Sequence, residues 1–77
     1  MRHFLDFILR RLVENPDDVD VRETAAEGGV TFYVTLHPED VGKVIGKGGR
    51  TIGAIRNLLN ASMTKPDQRV VVKICEP

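Results

Sequence analysis

The stretch Val44-Ile45-Gly46-Lys47-Gly48-Gly49-Arg50-Thr51-Ile52 constrains the fold more than any other part of the chain. Two glycines bracket Lys47 and Gly48, and branched apolar residues stand on both sides of the bracket. A backbone built on such glycines turns sharply, reaches positive φ and lets a bulky group come close. Where such a loop opens a helix, free N–H groups point outward and the helix dipole favours an anion there. Lys47 and Arg50 add full positive charges. Together these residues describe a small clamp for a phosphate. The bland alternative is a tight helix-to-helix turn, but a turn needs fewer glycines than this bracket holds and no lysine inside it.

A chain of 77 residues allows one domain, 1–77, close to the lower size limit for folding on its own core. Its single cysteine, Cys75, excludes an internal disulfide and a cysteine-rich metal site, and fits a reducing compartment. His3 and His37 have no metal-ligand partner at useful spacing, and His37 reads as a cap for a short helix. Near the N-terminus, Asp6 and the Arg10–Arg11 pair interrupt the apolar run. That run is too short for a signal-peptide core and far too short to span a bilayer. The expectation is a cytoplasmic protein with no membrane attachment, metal or cofactor.

The net charge is zero, from 11 basic and 11 acidic residues. Taken alone, that argues against a strongly basic nucleic-acid binder, but the distribution is uneven. Residues 14–40 carry Glu14, Asp17, Asp18, Asp20, Glu23, Glu27, Glu39 and Asp40 against Arg22 alone. Residues 41–66 carry Lys43, Lys47, Arg50, Arg56 and Lys65 with no acid. A local basic surface attracts a polyanion even when the total is neutral.

Read in order, residues 2–14 predict a helix. Phe4, Ile8 and Leu12 recur at four-residue spacing, with Leu5, Leu9 and Val13 beside them. The stripe reads as core rather than as a membrane or partner-docking face, because so small a domain needs its best apolar helix inside. Pro16 stops the helix. Residues 19–27 and 30–37 predict a hairpin with Gly28-Gly29 as a two-residue turn, pairing Glu27 with Val30, Ala25 with Phe32, Glu23 with Val34 and Val21 with Leu36. Val30, Phe32, Val34 and Leu36 then share the inner face with Val21 and Ala25. Glu23 does not fit that face, so the first strand bulges or lies at an edge. Pro38-Glu39-Asp40 opens a short helix with Val41, Val44 and Ile45 inward, ended by Gly46. A further helix runs from about Arg50 to Met63 on a stripe of Ile52, Ile55 and Leu59, widened by Leu58 and Ser62, and Pro66 terminates it. Residues 68–75 form a last strand, with Val70, Val72 and Ile74 on one face and Cys75 on the other as a packing residue. The order helix, strand, strand, helix, helix, strand predicts an α+β domain: a three-stranded sheet with helices packed on one face. The long helical connection lets the last strand run parallel to a neighbour.

Placed between two helices in this order, the bracket resembles that of the KH domain, a single-stranded RNA-binding module. Ile45-Gly46-Lys47-Gly48-Gly49-Arg50-Thr51-Ile52, followed by Ile55, fits the family's I-G-x-x-G-x-x-I-x-x-I pattern in full. The element order resembles the type II arrangement of bacterial KH proteins, and the resemblance covers essentially the whole chain. With His37-Pro38-Glu39-Asp40-Val41-Gly42-Lys43 before the loop, the chain is similar to the small free-standing KhpA (YlqC) family. The resemblance implies a groove for about four nucleotides. Gly46, Lys47, Gly48, Gly49 and Arg50 would grip the sugar-phosphate backbone, with Gly42 and Lys43 on the preceding helix. Bases would lie on an apolar floor between that helix and a strand. The resemblance also implies single-stranded RNA as ligand and a role as a post-transcriptional regulator or RNA chaperone, and it leaves open whether single-stranded DNA competes. It further implies a homodimer and a partner of the KhpB (Jag/EloR) type.

Aromatic residues are few, so base stacking is a minor contribution, and Tyr33 is equally a cover for the sheet edge or a ring for RNA. Lys43 is equally a contact or a solvated charge, whereas Arg56 and Lys65 read as a solvated helix face. An enzyme is not expected. A P-loop needs G-x-x-x-x-G-K-[ST] after a strand, which Gly46–Thr51 does not supply, and there is no Ser-His-Asp set or carboxylate cluster beside the loop. The remaining alternative is a protein-interaction or dimerisation module with weak or no RNA binding, using Leu58 and Met63.

Overall fold

In the computed structural model, which describes residues 2–62 and 68–75, the predicted order of elements is present. Helix α1 (Arg2–Leu12) leads to strand β1 (Asp20–Ala26), strand β2 (Gly29–Thr35) and helix α2 (Pro38–Ile45). A single 3-10 turn over Lys47–Gly49 joins α2 to helix α3 (Arg50–Ala61), and strand β3 (Arg69–Cys75) closes the chain. The sheet order is β1-β2-β3, with β2 antiparallel to β1 and parallel to β3. Leu58 is described and exposed, whereas Met63, Lys65 and Pro66 lie outside the described residues.

The core lies between the sheet and one layer of helices. Phe32 and Val34 from β2, Val70 and Val72 from β3, and Val21 from β1 face inward, as the alternation along each strand requires. Leu5 and Leu9 of α1, Val44 of α2, and Ile52, Ile55 and Leu59 of α3 meet them. Val41 and Ile45 pack partly against this cluster, as does Ile74.

Four expectations need correction. The hairpin register is displaced: Val21 pairs with Val34 and Ala26 with Gly29, so the turn residues are Glu27 and Gly28. The reason is that Gly29 serves close packing rather than the turn. A Cβ on Gly29 would run into the Arg69 carbonyl oxygen and lie 2.9 Å from Arg69 C and N. The displacement is by an even number of residues, so every side chain keeps its face. Second, Ala25 is exposed rather than inward, as is Glu23. The helical layer covers β1 only at its start around Val21, and β1 is an edge strand in unbroken register without a bulge. Third, α1 ends at Leu12, and its buried line is Leu5–Leu9. Phe4 and Leu12 are exposed, because an apolar arc this wide exceeds what a three-stranded sheet can cover. Fourth, Leu58 and Ser62 face solvent and do not widen the buried stripe of α3.

Two polar devices lock the helices in place. Asp40, on the first turn of α2, is buried and accepts the backbone N–H groups of Glu14 at 3.1 Å and Asn15 at 3.0 Å, and the Asn15 Nδ2 at 3.1 Å. It therefore satisfies the chain just after α1, where helical hydrogen bonding has run out. Asn60 ties α3 to β3: its Nδ2 donates to the Val70 carbonyl at 3.3 Å, and Val70 N–H donates to its Oδ1 at 2.9 Å. His37 caps α2 as expected, its Nδ1 accepting from Glu39 N–H at 3.1 Å.

Candidate nucleic-acid interface at the α2–α3 corner

The corner is made by the bracketed glycines. α2 ends where Gly46 N–H donates to the Gly42 carbonyl at 2.8 Å and the chain leaves with Gly46 at φ 77°, ψ 172°. A Cβ on Gly46 would strike the Thr51 hydroxyl and lie 2.8 Å from Thr51 Cβ and 2.9 Å from Thr51 N. Only glycine brings α2 this close to the first turn of α3. Gly48 has φ 65° and Gly49 φ 76°, a left-handed pair that turns the backbone into α3. A Cβ at either would meet nothing within 4 Å, so the space above them is open.

The hydrogen-bond ledger of the corner is unbalanced. Gly49 N–H donates to the Gly46 carbonyl at 3.2 Å, and Arg50 N–H donates to the Lys47 carbonyl. Among the described residues, the N–H groups of Lys47 and Gly48 have no acceptor. α3 begins without a side-chain cap and without an acid in its first turn. Instead Arg50 occupies its first position, with Lys47 just before, and both are exposed. Cations at a helix N-terminus oppose the dipole, so an anion placed there would be favoured by the dipole and by both charges.

Gly42 and Lys43 lie on the last turns of α2, leading into the corner. Gly42 is exposed, with nothing within 4 Å of a built Cβ. Lys43 is half-exposed, and its Nζ is 2.8 Å from Glu14 Oε1. The hydrogen bond that Lys43 donates to the Glu14 carboxylate raises the ammonium above its ordinary pKa, outweighing partial burial. Burial pushes the Asp40 carboxyl up, but hydrogen bonds from Glu14 and Asn15 and the nearby Lys43 charge hold it below its usual range. The corner therefore brings together Gly46, Lys47, Gly48, Gly49 and Arg50, and gives Lys43 a carboxylate competitor that the run of charges in the sequence did not reveal. Thr51 and Asp40 were missed as well. An acid at a helix start looks like a dipole partner, and only burial shows that Asp40 holds the neighbouring chain.

Among the described residues, no group of three or more His, Cys, Asp or Glu could hold a metal ion, and no helix is long and apolar enough to cross a membrane.

A parallel β2–β3 pair carrying two short helices joined at a glycine bracket, with α1 and β1 preceding, is the type II KH architecture. A family model described as "KhpA/KhpB, KH domain" matches residues 2–74, and the chain belongs to that family. Among its relatives, the "RNA-binding protein KhpA" of Clostridium acetobutylicum is 43% identical over 74 residues, covering 96% of this chain and 99% of the relative. The proteins of the same name in Caldanaerobacter subterraneus and Oceanobacillus iheyensis are 42% and 39% identical over the same coverage. These names describe a binding protein and not an enzyme.

Proposed function

We propose that the protein binds single-stranded RNA at the α2–α3 corner. The observation that carries this reading is the pair of unpaired amides at Lys47 and Gly48, open to solvent at the uncapped, doubly cationic start of α3. One phosphate accepts from these amides while Lys47 and Arg50 neutralise it, and Gly42 admits the neighbouring nucleotide. The similarity to proteins named for RNA binding supports the same ligand. Phosphate contacts read no 2′-hydroxyl, so single-stranded DNA competes.

One such corner holds few nucleotides, so a single domain binds weakly. Pairing with a second copy through the exposed Leu58 of α3, or with a KhpB-type partner, raises affinity through effective concentration. A cytoplasmic regulator or RNA chaperone is the role that fits a weak, sequence-tolerant grip.

The test is a titration of labelled single-stranded RNA across a salt series, with duplex RNA as competitor. The reading predicts binding that weakens with salt at a slope of about −2, from two or three phosphates, and poor competition by the duplex. Salt-independent binding, or equal competition by the duplex, would contradict it.

A further inference from the structure

The helices pack on one face of the sheet, and the other face carries an arrangement that the corner does not use. Cross-strand register places Arg22 of β1 opposite Tyr33 of β2, and Tyr33 beside Lys73 of β3. All three are exposed, Tyr33 by 37%, and the neighbouring Val71 also by 37%. The row is thus an aromatic ring on the central strand with a cation on each side of it. Arg69 adds a further cation on this face, and among the described residues Asp20 is its only acid.

A tyrosine suits a strand, and a cross-strand cation beside it adds a little stability, so the ring alone says nothing about a ligand. The charges say more. The Lys73 Nζ is 6.0 Å from the Tyr33 ring centroid, at the limit of a cation–π contact and on a flexible stem. Arg22 Nε lies 3.0 Å from Asp20 Oδ2, but their side chains are 80% and 53% exposed. An ion pair so exposed holds Arg22 only weakly. Both cations are therefore available to another anion, while the ring offers a π-face between them. A ligand that matches a ring flanked by cations carries planar aromatic groups strung on a polyanion.

We infer that the outer face of the sheet is a second contact surface for single-stranded nucleic acid, with Tyr33 stacking a base and Arg22 and Lys73 taking the flanking phosphates. The inference rests on the RNA-binding reading of the protein but uses none of the corner residues. Because the corner lies among the helices on the opposite face, an oligonucleotide of about four nucleotides reaches one surface only, whereas one of about 16 nucleotides has the length to touch both.

Tyr33 is the only tyrosine, and the chain has no tryptophan, so intrinsic fluorescence reports on this ring alone. The experiment follows Tyr33 emission and the anisotropy of labelled RNA in the same titrations, for the full chain and its variants. The expected result is quenching of Tyr33 that tracks binding of the longer RNA. Tyr33→Ala should weaken that binding about tenfold, with a much smaller effect on the short RNA, and Tyr33→Phe should restore it. Arg22→Gln with Lys73→Gln should reduce the salt slope by about 1.4, from two phosphates. Unchanged emission at saturating RNA, or Tyr33→Ala binding like the parent, overturns the inference. Quenching on raising protein concentration alone, with a dimer in sedimentation, also overturns it and assigns the face to a second copy. If Tyr33→Ala has no effect while changes at Lys47 and Gly48 abolish binding, this inference fails and the corner reading stands. The reverse pattern removes the corner reading and leaves this one.

Discussion

Gly46 and Thr51 are packed so closely that a Cβ on Gly46 would lie 2.9 Å from the Thr51 amide nitrogen. Backbone cannot yield there as a side chain would, so the distance between α2 and α3 is set by the absence of one atom. Gly46→Ala should cost about 2 kcal/mol or more from the clash and the positive φ together. Gly48→Ala meets open space and bears only the left-handed strain, about 1 kcal/mol. Thermal unfolding of the two variants checks this, since each kcal/mol moves the midpoint of so small a domain by about 4–8 °C. Equal losses would show that the close approach is not limiting.

Acid should loosen the join between α1 and α2. The Asp40 carboxyl is held below its usual range in the folded chain, so on acidification the unfolded chain takes up this proton first. Stability is therefore fully present above the ordinary carboxylate range and falls as the pH drops through it toward the native value. Asp40→Asn should be less stable at neutral pH and should lose part of that acid dependence. Denaturant unfolding across a pH series measures both; a parent and variant with parallel pH profiles would contradict the assignment.

Gly42→Ala separates stability from binding. The substitution removes a helix-interior glycine where nothing obstructs a Cβ, so it should stabilise the fold by about 0.5–1 kcal/mol. If a nucleotide lies over Gly42, the same methyl group should weaken RNA binding. A variant that is more stable and binds equally well would place the RNA elsewhere on α2.

If RNA runs along α2 as proposed, Glu14 competes with it for Lys43. Glu14→Gln frees the ammonium from a partner at 2.8 Å. Because the pair is exposed, the gain in RNA affinity should be modest, about two- to fivefold, with a salt slope steeper by about 0.7. Adding Lys43→Gln should cancel the gain. Anisotropy titrations that show no change in Glu14→Gln would return Lys43 to the role of a solvated charge.

Much of this architecture is legible in the sequence. The alternation in 30–36 assigned Phe32 and Val34 to the core, and the glycine bracket located the turn between two helices. What failed did so for local physical reasons. Gly28-Gly29 offered two equivalent glycines, and only the approach of Arg69 decides which one belongs to the turn. In α1, Leu5 and Leu9 differ from Phe4 and Leu12 in burial and not in chemistry, so a wide apolar arc cannot show where the sheet ends. The position of the corner was readable because a run of glycines between two helical stretches is conspicuous. The Lys43–Glu14 pair was not, because it joins the segment just after α1 to α2 across a distance in the chain that no periodicity encodes.

The most direct measurement is the affinity of single-stranded RNA for the variant carrying Lys47→Asp and Gly48→Asp together, beside its unfolding curve. Two carboxylates at the open amides should repel phosphate while touching nothing in the core, and aspartate tolerates the left-handed conformation better than most residues. The account predicts a folded protein, destabilised by about 1–2 kcal/mol, with RNA binding at the corner abolished. A folded double variant that binds RNA of about four nucleotides as tightly as the parent would contradict it.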